Sequence, residues 1–399
     1  MDFLFSEEQT MLRDSVARYL GRTYGFEARQ TLMRSEAPYS KAAWSRFAEL
    51  GVLALPFAEE VGGLGGSVTD LVPVAEVFGE HLTIEPWAFA LVLVGGALAA
   101  AGNHAEGRRH LADLVSGKSI GAFAYDEHRG LAAPAAISMT ATPSDDGLVL
   151  SGEKRLVFGA AEADFMVVAA RAAGEAGNPH GLVLLLVDPR ASGISLTPFW
   201  TQDGRSAAHV RFDDVTCTHA DVLANDAHDL IAKLISDAIL VLAAEAVGAM
   251  GALLRITGAY ATTRKQFGVA IGTFQTVAHR LADMKIAHAK AYASLMYSTA
   301  LAEAGRLTAR DVSILKAQAG KMGRAIAEAA VQTHGGVGMT DELSVGHYLK
   351  RLLAFETMFG PPDYHFRKIG STTSDVVTTG SVQHTSPMGP HDLPEIPFR

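Results

Sequence analysis

Apolar residues recur every three to four positions in the first part of this chain, alternate in the middle, and return to the helical period afterwards. Ser6-Glu7-Glu8-Gln9 has the form of a capping box, and Met11, Leu12, Val16, Tyr19 and Leu20 follow it as one apolar face. Trp44, Phe47 and Leu50, with a turn at Gly51, predict a second helix. After Pro56 the run Gly62-Gly63-Leu64-Gly65-Gly66 interrupts the period, which Thr69 to Phe78 resumes. Up to about residue 117 the pattern predicts helices joined by short Gly and Pro turns.

Near Ser119 the texture changes. Alternating or β-branched runs occupy Gly121 to Tyr125, Ile137 to Ala141, Leu148 to Ser151, Phe165 to Ala170, Leu182 to Val187 and Val210 to Phe212. Asp145-Asp146-Gly147 is a hairpin turn signal, and Gly174 to Gly181 reads as a polar loop. From Ala227 the helical period predicts long helices over Ile231–Arg264, Gln275–Ala304 and Ala309–Thr333, and a fourth over Asp341–Phe359. Their length points to an antiparallel bundle. The expected fold is α+β and multidomain. Residues 1–117 form an N-terminal α-helical domain, 118–226 a middle antiparallel β domain, 227–370 a C-terminal four-helix bundle and 371–399 a polar tail without period.

Composition narrows the function. Of 399 residues 48% are hydrophobic and 19% charged, enough to bury a large core. A net charge of −9 argues against a nucleic-acid partner, which needs clustered Lys and Arg. The single cysteine, Cys217, lies in a Thr-Cys-Thr stretch without a motif and reads as inert, which suits a reducing cytoplasm. The acidic N-terminus from Met1 has no signal-peptide pattern, and the apolar stretch Trp87 to Ala101 is too short and too rich in Gly and Ala to span a bilayer. A soluble cytoplasmic protein is expected.

Two motifs carry chemistry. Arg264-Lys265-Gln266-Phe267-Gly268 offers a fixed planar cation, amide donors and an aromatic face, as an aromatic dinucleotide requires. By itself it also reads as cations at a helix C-terminus followed by a glycine stop. Gln332-Thr333-His334-Gly335-Gly336-Val337-Gly338 lets a backbone approach a ligand closely, or simply caps a helix with glycine. Taken with Phe274-Gln275 and His279-Arg280-Leu281-Ala282-Asp283-Met284, the two motifs resemble the signature of the acyl-CoA dehydrogenases, which are flavoenzymes. The α–β–α order resembles theirs over essentially the whole chain except the tail. Ala244 to Met250, Gly346-His347-Tyr348 and Lys350-Arg351-Leu352 are most similar to the small subunit of pimeloyl-CoA dehydrogenase.

The resemblance implies FAD as cofactor, an acyl-CoA substrate, an electron-transfer flavoprotein as acceptor, and a homo- or hetero-tetramer. It implies that Arg264, Gln266, Phe267 and Gln275 reach the FAD of a neighbouring subunit, with Gln332, Gly335 and Gly336 at the adenosine end. Tyr125 and Phe158 fall at flavin-facing positions. There the chain departs from the family: Asp126 replaces a Thr, no Gly-Ser-Asp follows Tyr125-Asp126-Glu127-His128-Arg129-Gly130, and Leu156-Val157-Phe158-Gly159 lacks a hydroxyl. Where a Glu-Gly usually supplies the base, the chain reads Phe359-Gly360. Glu356 and Asp363 lie nearby, and an alternative family base position falls on Ala238, beside Asp237.

Glu245, seven residues on along the same helix face, is buried in apolar sequence. It is therefore either a catalytic base or a structural partner of an Arg or backbone group. Two readings follow. One is a dehydrogenase that converts acyl-CoA to 2,3-enoyl-CoA. The other is a half-site subunit supplying FAD contacts in trans to a partner chain. A relative using oxygen as acceptor is a more distant third.

Overall fold

The computed structural model describes residues 5–35, 37, 39–127 and 133–379, with side chains to residue 371. Met1 to Leu4, His128-Arg129-Gly130 and residues 380–399 of the tail lie outside the described residues.

The N-terminal unit holds α1 (Glu7–Thr23), α2 (Phe26–Arg34), α3 (Lys41–Glu49), α4 (Val72–Glu80), a π-helical segment Phe89–Gly95 that continues into α5 (Gly96–Ala100), and α6 (Ala105–Val115). The capping box at α1 forms as the pattern predicts. Gln9 N donates to Ser6 Oγ at 3.1 Å and Ser6 N to Gln9 Oε1 at 2.8 Å.

The middle unit is one sheet of β1 (Gly121–Ala124), β2 (Thr140–Ser144), β3 (Gly147–Phe158), β4 (Phe165–Arg171), β5 (Leu182–Val187), β6 (Ile194–Trp200), β7 (Ser206–Thr218) and β8 (Val222–Ala224). Its order is β6-β7-β3-β2-β4-β5-β8, with β1 added on β4. The sheet is not wholly antiparallel as expected: β1 and β2 both run parallel to β4. A parallel pair needs a long crossover, and the chain between β1 and β4 supplies one. Asp145-Asp146 turns β2 into β3. Strand β4 is buried along its length because both its faces are covered. Met166, Val168 and Ala170 face the sheet's own core, while Phe165, Val167 and Ala169 join the helical core.

The C-terminal unit comprises α7 (His228–Thr263), α8 (Gln275–Glu303), α9 (Ala309–His334), α10 (Ser344–Thr357) and α11 (Pro362–Thr379). A two-stranded hairpin, β9 (Lys265–Gln266) and β10 (Val269–Ala270), sits between α7 and α8. Helix α9 packs against the other four helices, so a fifth helix joins the expected four. The helical backbone runs through residue 371 to Thr379, into the stretch read as tail. Helix α10 is shorter than Asp341–Phe359: it starts only after Leu343, and it ends at Thr357, where Met358 turns extended and Phe359 takes a left-handed φ of 57°. Helix α7 is long and apolar enough to cross a membrane, more so than the stretch from Trp87, but 83% of its apolar window is buried inside the protein. Its burial requires close approach to α4. A Cβ on Gly79 would lie 1.8 Å from the Glu245 carbonyl oxygen, and one on Gly248 1.9 Å from that of Glu76.

Candidate functional site

Glu245 lies mid-way along α7 and is 2% exposed. Its Oε1 accepts from Arg351 Nη1 at 2.7 Å and from Arg205 Nη2, and its Oε2 from Trp87 Nε1 at 3.1 Å. Asp203 pairs with Arg351 Nε at 2.7 Å and accepts from the Thr201 hydroxyl at 2.6 Å. Arg29 completes the cluster. Its guanidinium donates to the carbonyls of Leu82 and Asp203 at 2.7 and 2.8 Å and contacts His347 Nδ1 at 3.0 Å. Burial, and then neighbouring Arg351, pull Arg29 down to about 10. Burial opposes ionisation of Asp203, but Arg351 and Arg205 outweigh it and hold the carboxyl below the ordinary range. Residues from α2, the loop before the π-helical segment, the β6–β7 turn, α7 and α10 thus meet in one buried ion cluster that ties the three units together. Both oxygens of Glu245 are spent on it, so the geometry gives Glu245 the structural role.

The positions that the resemblance assigned to the flavin side meet elsewhere. Tyr125, Asp126, Phe158 and Phe359 line a closed space together with Phe89 and Met358. Only about 20 Å³ remains, room for roughly one water molecule. Phe89 stacks on Phe158 with centroids 4.0 Å apart and planes at 13°. Tyr125 and Phe359 lie parallel to within 16° at 6.2 Å. Burial, then Asp126, push the Tyr125 hydroxyl far above its usual range. The turn carrying Phe359 is held from behind. Lys316 Nζ donates to the carbonyls of Glu356 and Gly360, both at 3.0 Å, and His365 Nε2 donates to that of Phe359 at 3.0 Å. Burial lowers Lys316 to about 7.

The remaining carboxylates considered as bases are engaged or exposed. Glu356 accepts from Arg324 Nε at 2.7 Å, Asp237 pairs with Lys233, and Asp363 is exposed. Ala238 is fully buried.

The two motifs come together at a third place. Tyr260, one turn before the end of α7, stacks on His334 at the end of α9, with centroids 4.3 Å apart. The end of α7 that carries Arg264 is thereby tied to the end of α9 that carries Gly335 and Gly336. His334 Nδ1 donates to the Ala330 carbonyl at 2.9 Å, as a turn residue would. Gly335, with φ 66°, ends α9 as a glycine cap. Arg264, Gln266, Gln275, Gln332, Gly335 and Gly336 are all exposed. Phe267 is 93% exposed at the tip of the β9–β10 hairpin, and its ring meets Phe274 edge-on at 6.1 Å. Among the described residues Arg264 has no ion pair.

A helical unit, a β unit and a helical bundle define a three-domain protein, with an exposed cation and aromatics at the end of its longest helix. The comparisons agree. Residues 6–118 match the N-terminal domain of acyl-CoA dehydrogenase, 122–215 its middle domain and 230–373 its C-terminal domain. The probable acyl-CoA dehydrogenase YngJ of Bacillus subtilis is 26% identical over 383 residues, covering 94% of this chain and 97% of that one. Acyl-CoA dehydrogenase IpdE2 of Mycolicibacterium smegmatis is 28% identical over 368 residues, covering 91% and 98%. In the crystal structure of the ChsE4-ChsE5 complex from Mycobacterium tuberculosis, a chain 26% identical superposes with a TM-score of 0.86 over 94% of this chain and 99% of that one. The chain belongs to the acyl-CoA dehydrogenase family, FAD-dependent oxidoreductases acting on acyl-CoA thioesters, whose members assemble as oligomers, some of them heteromeric.

FAD fits the two ends differently. The exposed Arg264, Gln266 and Phe267, with Gln275, Gln332 and the Gly335-Gly336 backbone, suit one end of an anionic aromatic dinucleotide completed by another chain. A space of about 20 Å³ between stacked rings does not admit an isoalloxazine ring.

Sequence reasoning missed Trp87, Arg205 and Arg351 as partners of Glu245, Arg29 and Asp203 as further members of the cluster, and Phe89 as the ring on Phe158. The one available signal was Glu245 itself, a carboxylate in an apolar helix that demands cations from elsewhere. Which ones answer is a matter of long-range contact.

Proposed function

We propose that this chain is the trans-acting subunit of a heteromeric acyl-CoA dehydrogenase, akin to the small subunit of pimeloyl-CoA dehydrogenase. The observation that carries this reading is the closed aromatic pocket, with Phe359 where a base is needed. FAD, when bound in such an assembly, supplies the hydride acceptor for the β-carbon of the acyl chain. Removing the α-proton needs a dry carboxylate aimed at it, and Phe359 has none to offer. In a homomer every copy would carry the same filled pocket, so every site would lack ring space and base alike. A partner chain of the same family with an open pocket and a base completes the site. Arg264, Gln266 and Phe267 then extend from this chain onto the partner's cofactor, and an electron-transfer flavoprotein accepts the electrons.

The test is purification of the chain alone and together with such a partner. Alone it should be colourless and inactive. The pair should hold one FAD per two chains, which acyl-CoA bleaches. A yellow, active homomer would overturn the reading.

A further inference from the structure

The buried ion cluster is not balanced in charge. Arg29, Arg205 and Arg351 are at most 3% exposed, and the carboxylates paired with them are those of Asp203 and Glu245. Even at about 10, Arg29 stays charged at neutral pH. The other titratable groups around the cluster do not supply the missing negative charge. Glu85 stands behind Tyr24, whose hydroxyl donates to it at 3.0 Å, and burial holds its carboxyl above the usual range. Burial pushes the Tyr24 hydroxyl far up and Tyr348 to about 12, so both stay neutral. Burial, and then Arg29, push His347 down, which keeps its ring neutral. Asp341, beyond His347, is exposed and paired with Lys350. One buried cation is left over, and an uncompensated buried charge is strongly unfavourable.

A small cavity adjoins the surplus. It measures about 10 Å³ and has Arg205, Arg351 and Glu245 on its polar side and Leu242, Ala246 and Phe355 on its apolar side. That is room for roughly one water-sized body. Met358 lines it and also lines the aromatic pocket, so the cavity lies between the cluster and the stacked rings. All of these residues are buried, which shuts out polyatomic ligands and side chains of another subunit.

Arg205 has donors to spare. Its Nη2 donates to Glu245 and its Nη1 stands 3.6 Å from Asp203, but its buried Nε has no hydrogen-bond partner among the described residues. Glu245 is the one acceptor among the lining side chains, and the N–H groups of Trp87, Arg205 and Arg351 already point at it. A water molecule here would need acceptors for two hydrogens. A halide needs none, and its charge offsets the surplus cation. The Glu245 carboxylate opposes such an ion, but two guanidiniums line the same space and outweigh it.

We propose that this cavity holds a single chloride ion, received by Arg205 and Arg351, as the counter-ion of the cluster that joins the three units. Met358 is unbranched and repacks readily, which gives chloride the extra room it needs beyond water. The site is independent of the FAD-facing end and of the divided-site reading.

The experiment is a series of thermal melts of the full chain in which sodium chloride replaces sodium gluconate at a fixed ionic strength of about 0.1 M. The melting temperature should rise with chloride, in proportion to the logarithm of its concentration once that exceeds the dissociation constant. Bromide should act likewise, and crystals grown in bromide should show its anomalous signal between Arg205 and Arg351. Arg205→Met removes the surplus cation and a principal donor, so chloride should bind at least about tenfold more weakly, in keeping with a lost charge-assisted hydrogen bond. Where that variant does not fold, the melts of the unmodified chain and the bromide crystals decide by themselves. A melting temperature indifferent to the exchange of anions, a water only in the bromide crystals, or an unaltered chloride dependence in Arg205→Met would overturn the proposal.

Discussion

Glu245→Gln separates a structural glutamate from a catalytic one. In the folded chain Glu245 neutralises Arg351 Nη1 at 2.7 Å and Arg205, and takes the Trp87 indole N–H at 3.1 Å. An amide keeps one acceptor and turns an N–H₂ group towards another donor, and the charge is lost. Three buried guanidiniums, of Arg29, Arg205 and Arg351, would then face the single carboxylate of Asp203. Removing one partner from a buried ion pair costs about 3–5 kcal/mol. Asp203 still holds Arg351 Nε at 2.7 Å, so a value of about 3 kcal/mol is expected. At roughly 1.2 °C per kcal/mol for a chain of 399 residues, the melting temperature should fall by about 4 °C. The assay is a thermal melt of the assembled protein, paired with flavin bleaching by acyl-CoA per folded site. A structural Glu245 lowers the melting temperature and leaves turnover per folded site within a few-fold. An unchanged melting temperature with turnover reduced by about a hundred- to ten-thousandfold, the worth of a positioned base, would refute the assignment.

Arg264→Ala should reduce flavin retention by the assembly by roughly ten- to a hundredfold, the worth of a charged hydrogen bond; undiminished flavin after dialysis would remove Arg264 from the site. Phe359→Glu should confer no flavin bleaching on the lone chain, because the new carboxylate enters a space of about 20 Å³ beside stacked rings; measurable bleaching would refute this. Glu76 is held up to about 7 by burial and then by Glu80, and its Oε1 is buried without a partner. The folded chain therefore keeps a proton there that the unfolded chain, with an ordinary pKa of about 4.3, has released. Stability from this group is full below about pH 4 and is lost as pH rises to 7. Glu76→Gln should accordingly stabilise the protein by about 1–3 kcal/mol above pH 7 and by little below pH 4, as urea melts at the two pH values would register.

Local pattern specified much of this molecule. Ser6 and Gln9 announced the first helix, Asp145-Asp146-Gly147 the β2–β3 turn, and the switches of period near Ser119 and Ala227 the three structural textures. Each of these depends on residues a few positions apart, so a linear reading reaches them. The same holds for Arg264 and the Gly335-Gly336 cap, whose helix-end positions follow from their own neighbours. Tertiary structure decided what lies between distant segments. The parallel pairing of β1 with β4 joins strands separated by two others. The helical backbone of α11 continues past residue 371 to Thr379, in a stretch where composition alone suggested a tail. Glu245 was conspicuous as a buried carboxylate, but its partners arrive from up to 158 residues away at Trp87 and 106 at Arg351. The substitutions Asp126, Phe158 and Phe359 were each visible along the chain. That they close one space together with Phe89 became evident only in the folded arrangement, because whether side chains fill a cavity depends on volumes and directions brought together from separate elements, which spacing along a sequence does not encode.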